Sequence, residues 1–217
     1  MVNIMKYIDL THTISDDLPV YPGTEKPKLI SANTVEKDGF RETVLEMYSH
    51  TGTHTDSPAH LFENGKSLDE FPAAHFFGRA VILDCSNLPE NSRITKKMIS
   101  DLGEKFRRAD FLVLRTGWEK YWNDEKYFYG FPCLEKEAAE YLVECGKKGI
   151  GVDAISVDPV GVPLDVHKVV LATDNFIIVE NLCNLNEIES EEFDFCILPL
   201  KFKDSDGAPT RVVAIIK

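Results

Sequence analysis

The sequence predicts an α/β fold in which helices flank one mixed sheet, and three observations carry that reading. The segments "GRAVILDC", "DFLVLRTGW" and "IGVDAISVDP" are short, nearly continuous apolar runs, the pattern of strands buried on both faces. Helical patterns fall between them, and strand, helix, strand in succession calls for parallel crossovers. The C-terminal "FDFCILPLKFKDSDGAPTRVVAIIK" reads instead as an antiparallel hairpin around "DSDG", so the sheet is mixed.

The elements follow in order. "KYIDLTHTI" alternates as a strand, and the three prolines and glycine of "SDDLPVYPGTEKP" force a loop suited to binding. "PKLISANTV" and "RETVLEMYSH" flank the turn-like "EKDG", which predicts a hairpin whose second strand delivers His50 at its end. "SRITKKMISDLGEKFRRA" reads as one amphipathic helix. The aromatic loop 118–131 reads as packing or a dimer surface ahead of a substrate wall. "LEKEAAEYLVECGKKG" has acids in its first turn, lysines in its last and a glycine stop, all helix signals. "DVHKVVLAT" is a short helix and "FIIVENL" a strand. No Gly-, Ser- or Pro-rich linker divides the chain, so residues 1–217 are expected to form a single domain.

Composition narrows the function. A chain of 217 residues with 43% hydrophobic content can bury one sizeable core. Thirty-six acidic against 24 basic residues give a net charge of −12 with no basic stripe, which argues against nucleic acid and anionic membranes as partners. The five cysteines lack any CxxC pair, so neither a disulfide framework nor a zinc ribbon is expected, and they are expected to be reduced and mostly buried. "MVNIMKYIDL" reads as neither a secretory leader nor a membrane span, and no later stretch reaches about 18 apolar residues, so the expected location is cytoplasmic.

The chemistry concentrates in "SHTGTHTDSPAH", residues 49–60, which holds three of the six histidines. In a straight strand, at about 3.3 Å per residue, His50 and His54 would lie roughly 13 Å apart, too far to share an ion. A helix turning about 100° per residue would swing Asp56 away from both, and Thr51, Thr53 and Pro58 are poor helix-interior residues. A tight bend remains, with Gly52 supplying the unusual dihedrals that let His50, His54 and Asp56 converge. Two imidazoles and a carboxylate suit Zn²⁺, Mn²⁺ or Fe²⁺. His60 is open to either role, fourth ligand or base.

"HTGTHTDSPAH" resembles the HxGTHxDxPxH signature of the cyclase family, which includes bacterial kynurenine formamidases (arylformamidases) and isatin hydrolases. The likeness runs along nearly the whole chain, through "DLTHTISDDLPVYPG", "VLRTGW", "GIGVDAISVDP" and "VHKVVLATDNFIIVENL". It implies a single compact domain of the cyclase-like swivelling β/β/α type, commonly a homodimer or homotetramer. It also implies that His50, His54 and Asp56 are metal ligands and His60 the catalytic acid/base. His167 and Glu180 would complete a second site in the binuclear members, Asp56 and Glu180 bridging, so one or two ions, Zn or Mn, are expected per chain. Tyr21 falls where the kynurenine formamidases usually have a tryptophan against the substrate ring.

The expected activity is metal-dependent amide hydrolysis of a small molecule, led by arylformamidase-like cleavage of an N-formyl aromatic amine. The ion makes hydroxide available near neutral pH and polarises the carbonyl, while His60 moves the proton to the departing nitrogen. The alternatives are ring opening of a cyclic amide or imide, and a catalytically silent small-acid or metal-binding protein. His12 reads as a core residue or a support for a ligand, and His75 as packing or surface. Glu180, flanked by "FIIV" and "NL", needs a compensating partner if buried, and a metal is sufficient.

Overall fold

A computed structural model describes residues 5–217; residues 1–4, the start of the stretch read as neither leader nor span, lie outside the described residues. The strands are β1 (Lys6–Asp9), β2 (Lys28–Asn33), β3 (Glu42–Glu46), β4 (His54–Asp56), β5 (Phe77–Asp84), β6 (Arg93–Ile94), β7 (Phe111–Arg115), β8 (Cys133–Leu134), β9 (Gly149–Val152), β10 (Ile177–Glu180), β11 (Glu192–Pro199) and β12 (Gly207–Ile216). The helices are α1 (Val35–Asp38), α2 (Lys96–Ser100), α3 (Glu104–Arg108), α4 (Lys136–Glu144) and α5 (Asp165–Leu171). No helix among the described residues is long and apolar enough to cross a membrane.

Eight strands form one sheet in the order β1-β12-β11-β5-β7-β9-β10-β4, and β12 also pairs with β4, which closes the sheet into a barrel. The three apolar runs and β10 lie parallel to one another, whereas β11 and β12 form the expected antiparallel hairpin. Alternation within each strand feeds two cores. Ala80, Ile82, Phe111, Val113, Ile177 and Val179 pack together on one face of the sheet, while Val81, Leu83, Leu112, Leu114 and Ile178 join Phe106, Leu142 and Phe176 on the other. Both faces are dry, which explains why these strands read as continuous apolar runs. Each fully buried Leu, Ile or Phe contributes about 1.5–3 kcal/mol to that assembly.

Two expectations are corrected. The segment 92–109 is not one helix: it gives β6, then α2 capped by Thr95, whose Oγ1 accepts from the Met98 N–H, then α3. Gly103, at φ +59°, breaks the helix between them. The second strand of the first hairpin stops at Glu46, so His50 sits in a turn beyond it. The aromatic loop 118–131 is substantially internal: Trp118 and Tyr127 are buried and serve packing. The cysteines are all free, four buried and Cys145 exposed. His75 packs against Phe71 and Phe76, and His12 stacks on Trp122 at 3.7 Å.

Candidate metal centre

The bend is where the sequence requires it. Gly52 takes φ +64°, a conformation costly for any residue with a Cβ. The bend is pinned from three sides: Thr51 Oγ1 donates to the Tyr48 carbonyl at 2.8 Å, Thr53 Oγ1 to the Asn181 carbonyl at 2.6 Å, and Asn181 Nδ2 to the Gly52 carbonyl at 2.8 Å. The rings of His50 and His54 consequently lie 5.2 Å apart, centre to centre.

Past the bend, β4 is held on both edges, by β10 and by β12. Register fixes which way its side chains face. Asp56 pairs with Ile178 and His54 with Glu180, so all four share the sheet face that carries the helices, and Thr55 faces the other way with Val179. Glu180 stands opposite His54, with Oε2 3.5 Å from Nε2, and its Oε1 accepts from the Val157 N–H at 3.1 Å. The final strand residue sits where an apolar residue would continue the core, and the register explains its burial.

His167 comes from α5. Asp158 accepts from the Val166 and His167 N–H groups at 3.0 and 3.1 Å and from His167 Nδ1 at 2.7 Å. One carboxylate thus satisfies the start of the helix and turns the ring so that Nε2 faces Glu180 Oε1 at 3.3 Å and Asp56 Oδ2 at 3.6 Å. His54 is oriented in the same manner: Nδ1 donates to the Gly52 carbonyl at 2.9 Å, leaving Nε2 for the centre. Tyr127 of the aromatic loop donates to Asn181 Oδ1 at 2.8 Å and so supports this bend from behind.

Asp56 is the hub. Oδ1 lies 2.7 Å from His50 Nδ1 and 3.3 Å from His54 Nε2, while Oδ2 faces His167. Among the described residues the donors form three groups, two of which share Asp56, one of His50, His54 and Asp56, the other of Asp56, His167 and Glu180; the third is His50, His60 and Asp206, and the ligand atoms in each lie within 4.8 Å of one another. His60 follows Pro58 in a tight helical turn, and its ring centre is 4.1 Å from that of His50 and 6.2 Å from that of His167.

The electrostatics ask for a cation. Burial alone would lower the His50 and His167 pKa values, yet neighbouring carboxylates push His50 up to about 10 and His167 well above the ordinary imidazole range. Burial would raise Asp56, but its neighbours His54 and His50 hold it well below the usual carboxylate range. Two buried carboxylates face imidazoles, and none of the cavity's described lining residues is a lysine or arginine. A divalent ion supplies that positive charge without crowding imidazolium rings together, so the donor set fits Zn²⁺, Mn²⁺ or Fe²⁺. His60 differs: burial, the largest influence, lowers its pKa.

The centre opens into a cavity of about 540 Å³ lined by Tyr21, Tyr48, His60, Ile155, Val162 and Leu164 beside the donors. All the residues singled out in the sequence, Tyr21, His50, His54, Asp56, His60, His167 and Glu180, line it. Sequence reasoning missed Asp158, Asn181 and Asp206. Asp158 carried a signal, being an acid at the end of an apolar run shortly before His167; Asp206 looked like a turn residue, and Asn181 like the end of a strand.

Fold and site together define a class, an α/β barrel carrying an imidazole and carboxylate centre of the kind metal-dependent hydrolases use. The family model described as putative cyclase matches residues 8–159. Kynurenine formamidase from Bacillus thuringiensis (strain Al Hakam) is 32% identical over 212 residues, covering 96% of each chain. A solved structure described as a predicted metal-dependent hydrolase from Bacillus stearothermophilus superposes with a TM-score of 0.81 at 27% identity, covering 99% of this chain and 100% of that one. Isatin hydrolase A from Labrenzia aggregata, bound to benzyl benzoate, shares the fold with a TM-score of 0.87 at 24% identity, covering 98% and 94%. The chain belongs to the cyclase family and is a hydrolase of that family.

Proposed function

We propose that this protein is a metal-dependent amide hydrolase that cleaves an N-formyl aromatic amine in the manner of an arylformamidase. The observation that carries the reading is Asp56, whose two oxygens serve two adjacent donor groups beneath His60. His50, His54 and Asp56 would hold one ion, and Asp56, His167 and Glu180 a second. The chemistry supplied by Zn²⁺ or Mn²⁺, when bound there, would be a lowered pKa for water and a polarised substrate carbonyl.

The chain's own residues supply the rest. His60 takes a proton from the attacking water at the cavity face and returns it to the departing nitrogen, as the carbon–oxygen bond forms and the carbon–nitrogen bond breaks. The products are formate and the free aromatic amine. Tyr21 and Tyr48 wall a cavity large enough for one aromatic ring. Tyr21 is held in place through its hydroxyl, which accepts from the Gly161 N–H at 3.1 Å. The likeness to kynurenine formamidase over 96% of the chain supports this substrate class.

The working form is a homo-oligomer in the cytoplasm. The β2–β3 hairpin supports the assembly: Leu29 pairs with Leu45 and Ile30 with Val44, and all four are exposed. A two-stranded hairpin is marginal in water by itself, and a second copy gives both apolar pairs something to pack on.

Elemental analysis of protein purified without chelators, followed by assays with formanilides, N-formylkynurenine, isatin and cyclic imides, tests the function. Release of formate from formanilides supports it. Ring opening of isatin or imides without formate release moves the assignment to cyclic amides, and a metal-loaded protein inert to all of them points to a binding protein.

A further inference from the structure

We propose that Asp206, in the turn between β11 and β12, is a positioning residue that sets the tautomer and seat of His50; this rests on the metal-hydrolase reading above. His50 Nδ1 faces Asp56, and its other nitrogen, Nε2, lies 3.0 Å from Asp206 Oδ2. A neutral imidazole carries one N–H, so an acceptor at Nε2 draws the proton there and leaves the Nδ1 lone pair free for an ion. His54 and His167 each have such an orienting acceptor, the Gly52 carbonyl and Asp158, on the nitrogen that points away from the centre. Asp206 fills the same place for His50.

The turn is shaped for this task. A Cβ built on Gly207 would come within 2.7 Å of His50 Nε2 and closer still to the ring carbon between the nitrogens, so only glycine leaves the ring its seat. Ser49 Oγ donates to Asp206 Oδ2 at 3.3 Å and steadies the carboxylate from the side of the bend. The backbone holds the turn independently: Ser57 donates from N and Oγ to the Asp206 carbonyl at 2.9 and 2.8 Å. These bonds survive replacement of the side chain. The same Oδ2 stands 4.0 Å from His60 Nδ1, which places one carboxylate between a metal ligand and the acid/base.

The test is metal affinity, measured by competition of Zn²⁺ or Mn²⁺ with a chelating indicator, on the wild-type chain, Asp206→Ala and Asp206→Asn. Asp206→Ala should weaken binding about 10- to 100-fold while the metal-stripped protein stays folded, with the wild-type circular dichroism spectrum. Asp206→Asn keeps an oxygen that can accept from Nε2–H and should recover most of the loss. Wild-type affinity in folded Asp206→Ala overturns the inference. So does loss of one whole ion at saturating metal, since Asp206 would then be a ligand with His50 and His60. A wild-type chain with no measurable affinity for either ion overturns instead the metal-hydrolase reading.

Discussion

His54 and Glu180 are register partners in the antiparallel pairing of β4 with β10, and their side chains meet with Nε2 3.5 Å from Oε2. Backbone hydrogen bonds therefore fix the separation of the two donor groups, and Asp56, two residues along the same strand, completes both. A centre built on a ladder needs little reorganisation to accept an ion.

Removal of either partner should show in metal content. Glu180→Gln should lower occupancy from about two ions per chain toward one and cut the rate sharply, because the carboxylate brings a negative charge to the second donor group and an amide brings none. His54→Ala should strip the first group as well. Elemental analysis after gel filtration decides, and full occupancy in both variants would falsify the ligand assignment.

His60 should separate from the ligands. Its ring lies over the donors without joining either Asp56-centred group, so His60→Ala should retain metal while kcat falls by about 10²- to 10⁴-fold. Metal loss on this substitution would make it a ligand; an unchanged rate would remove it from the mechanism.

Tyr21 should govern selectivity. Tyr21→Ala should raise KM for aromatic amides and spare small aliphatic ones, since only the former lose a ring contact. Tyr21→Phe keeps the ring and loses the bond to the Gly161 N–H that holds it, so its loss on aromatic amides should fall between wild type and Tyr21→Ala. Equal losses on both substrate classes would place Tyr21 outside the specificity pocket.

Glu119 should make stability depend on pH. Burial first, and then the nearby Asp153 carboxylate, push its pKa from 4.5 to about 7 in the folded chain. The folded carboxyl keeps its proton to higher pH than the unfolded one, so its stability contribution is complete below pH 4.5 and is lost as pH rises through about 7. Glu119→Gln should therefore be more stable than wild type at pH 8, by about 1 kcal/mol after discounting for partial exposure, and gain nothing at pH 4. Thermal melts at the two pH values check this; an equal difference at both would assign the effect to packing.

The β2–β3 hairpin should control assembly. Leu45→Lys paired with Val44→Lys places charge on both faces of the hairpin and should shift the protein to a monomer in light scattering at micromolar concentration. A wild-type chain that is already monomeric under those conditions contradicts the proposed oligomer.

Local patterning by itself determined the strands β5, β7, β9 and β10, the terminal hairpin, α4 and the bend at Gly52, because alternation, turn residues and steric exclusion act over a few neighbours. The donors within 50–60 were legible for the same reason: chain geometry alone forces His50, His54 and Asp56 to bend or fail to meet. Tertiary structure decided what depends on long-range register. The sequence could not show that β12 would pair with β4 and close the barrel, that Glu180 would stand opposite His54, or that Asp158 and Asp206 would each take a histidine nitrogen. It also could not show that Gly103 would outweigh the helical periodicity of 92–109. Those outcomes turn on which segments pack together, a competition that no local pattern records.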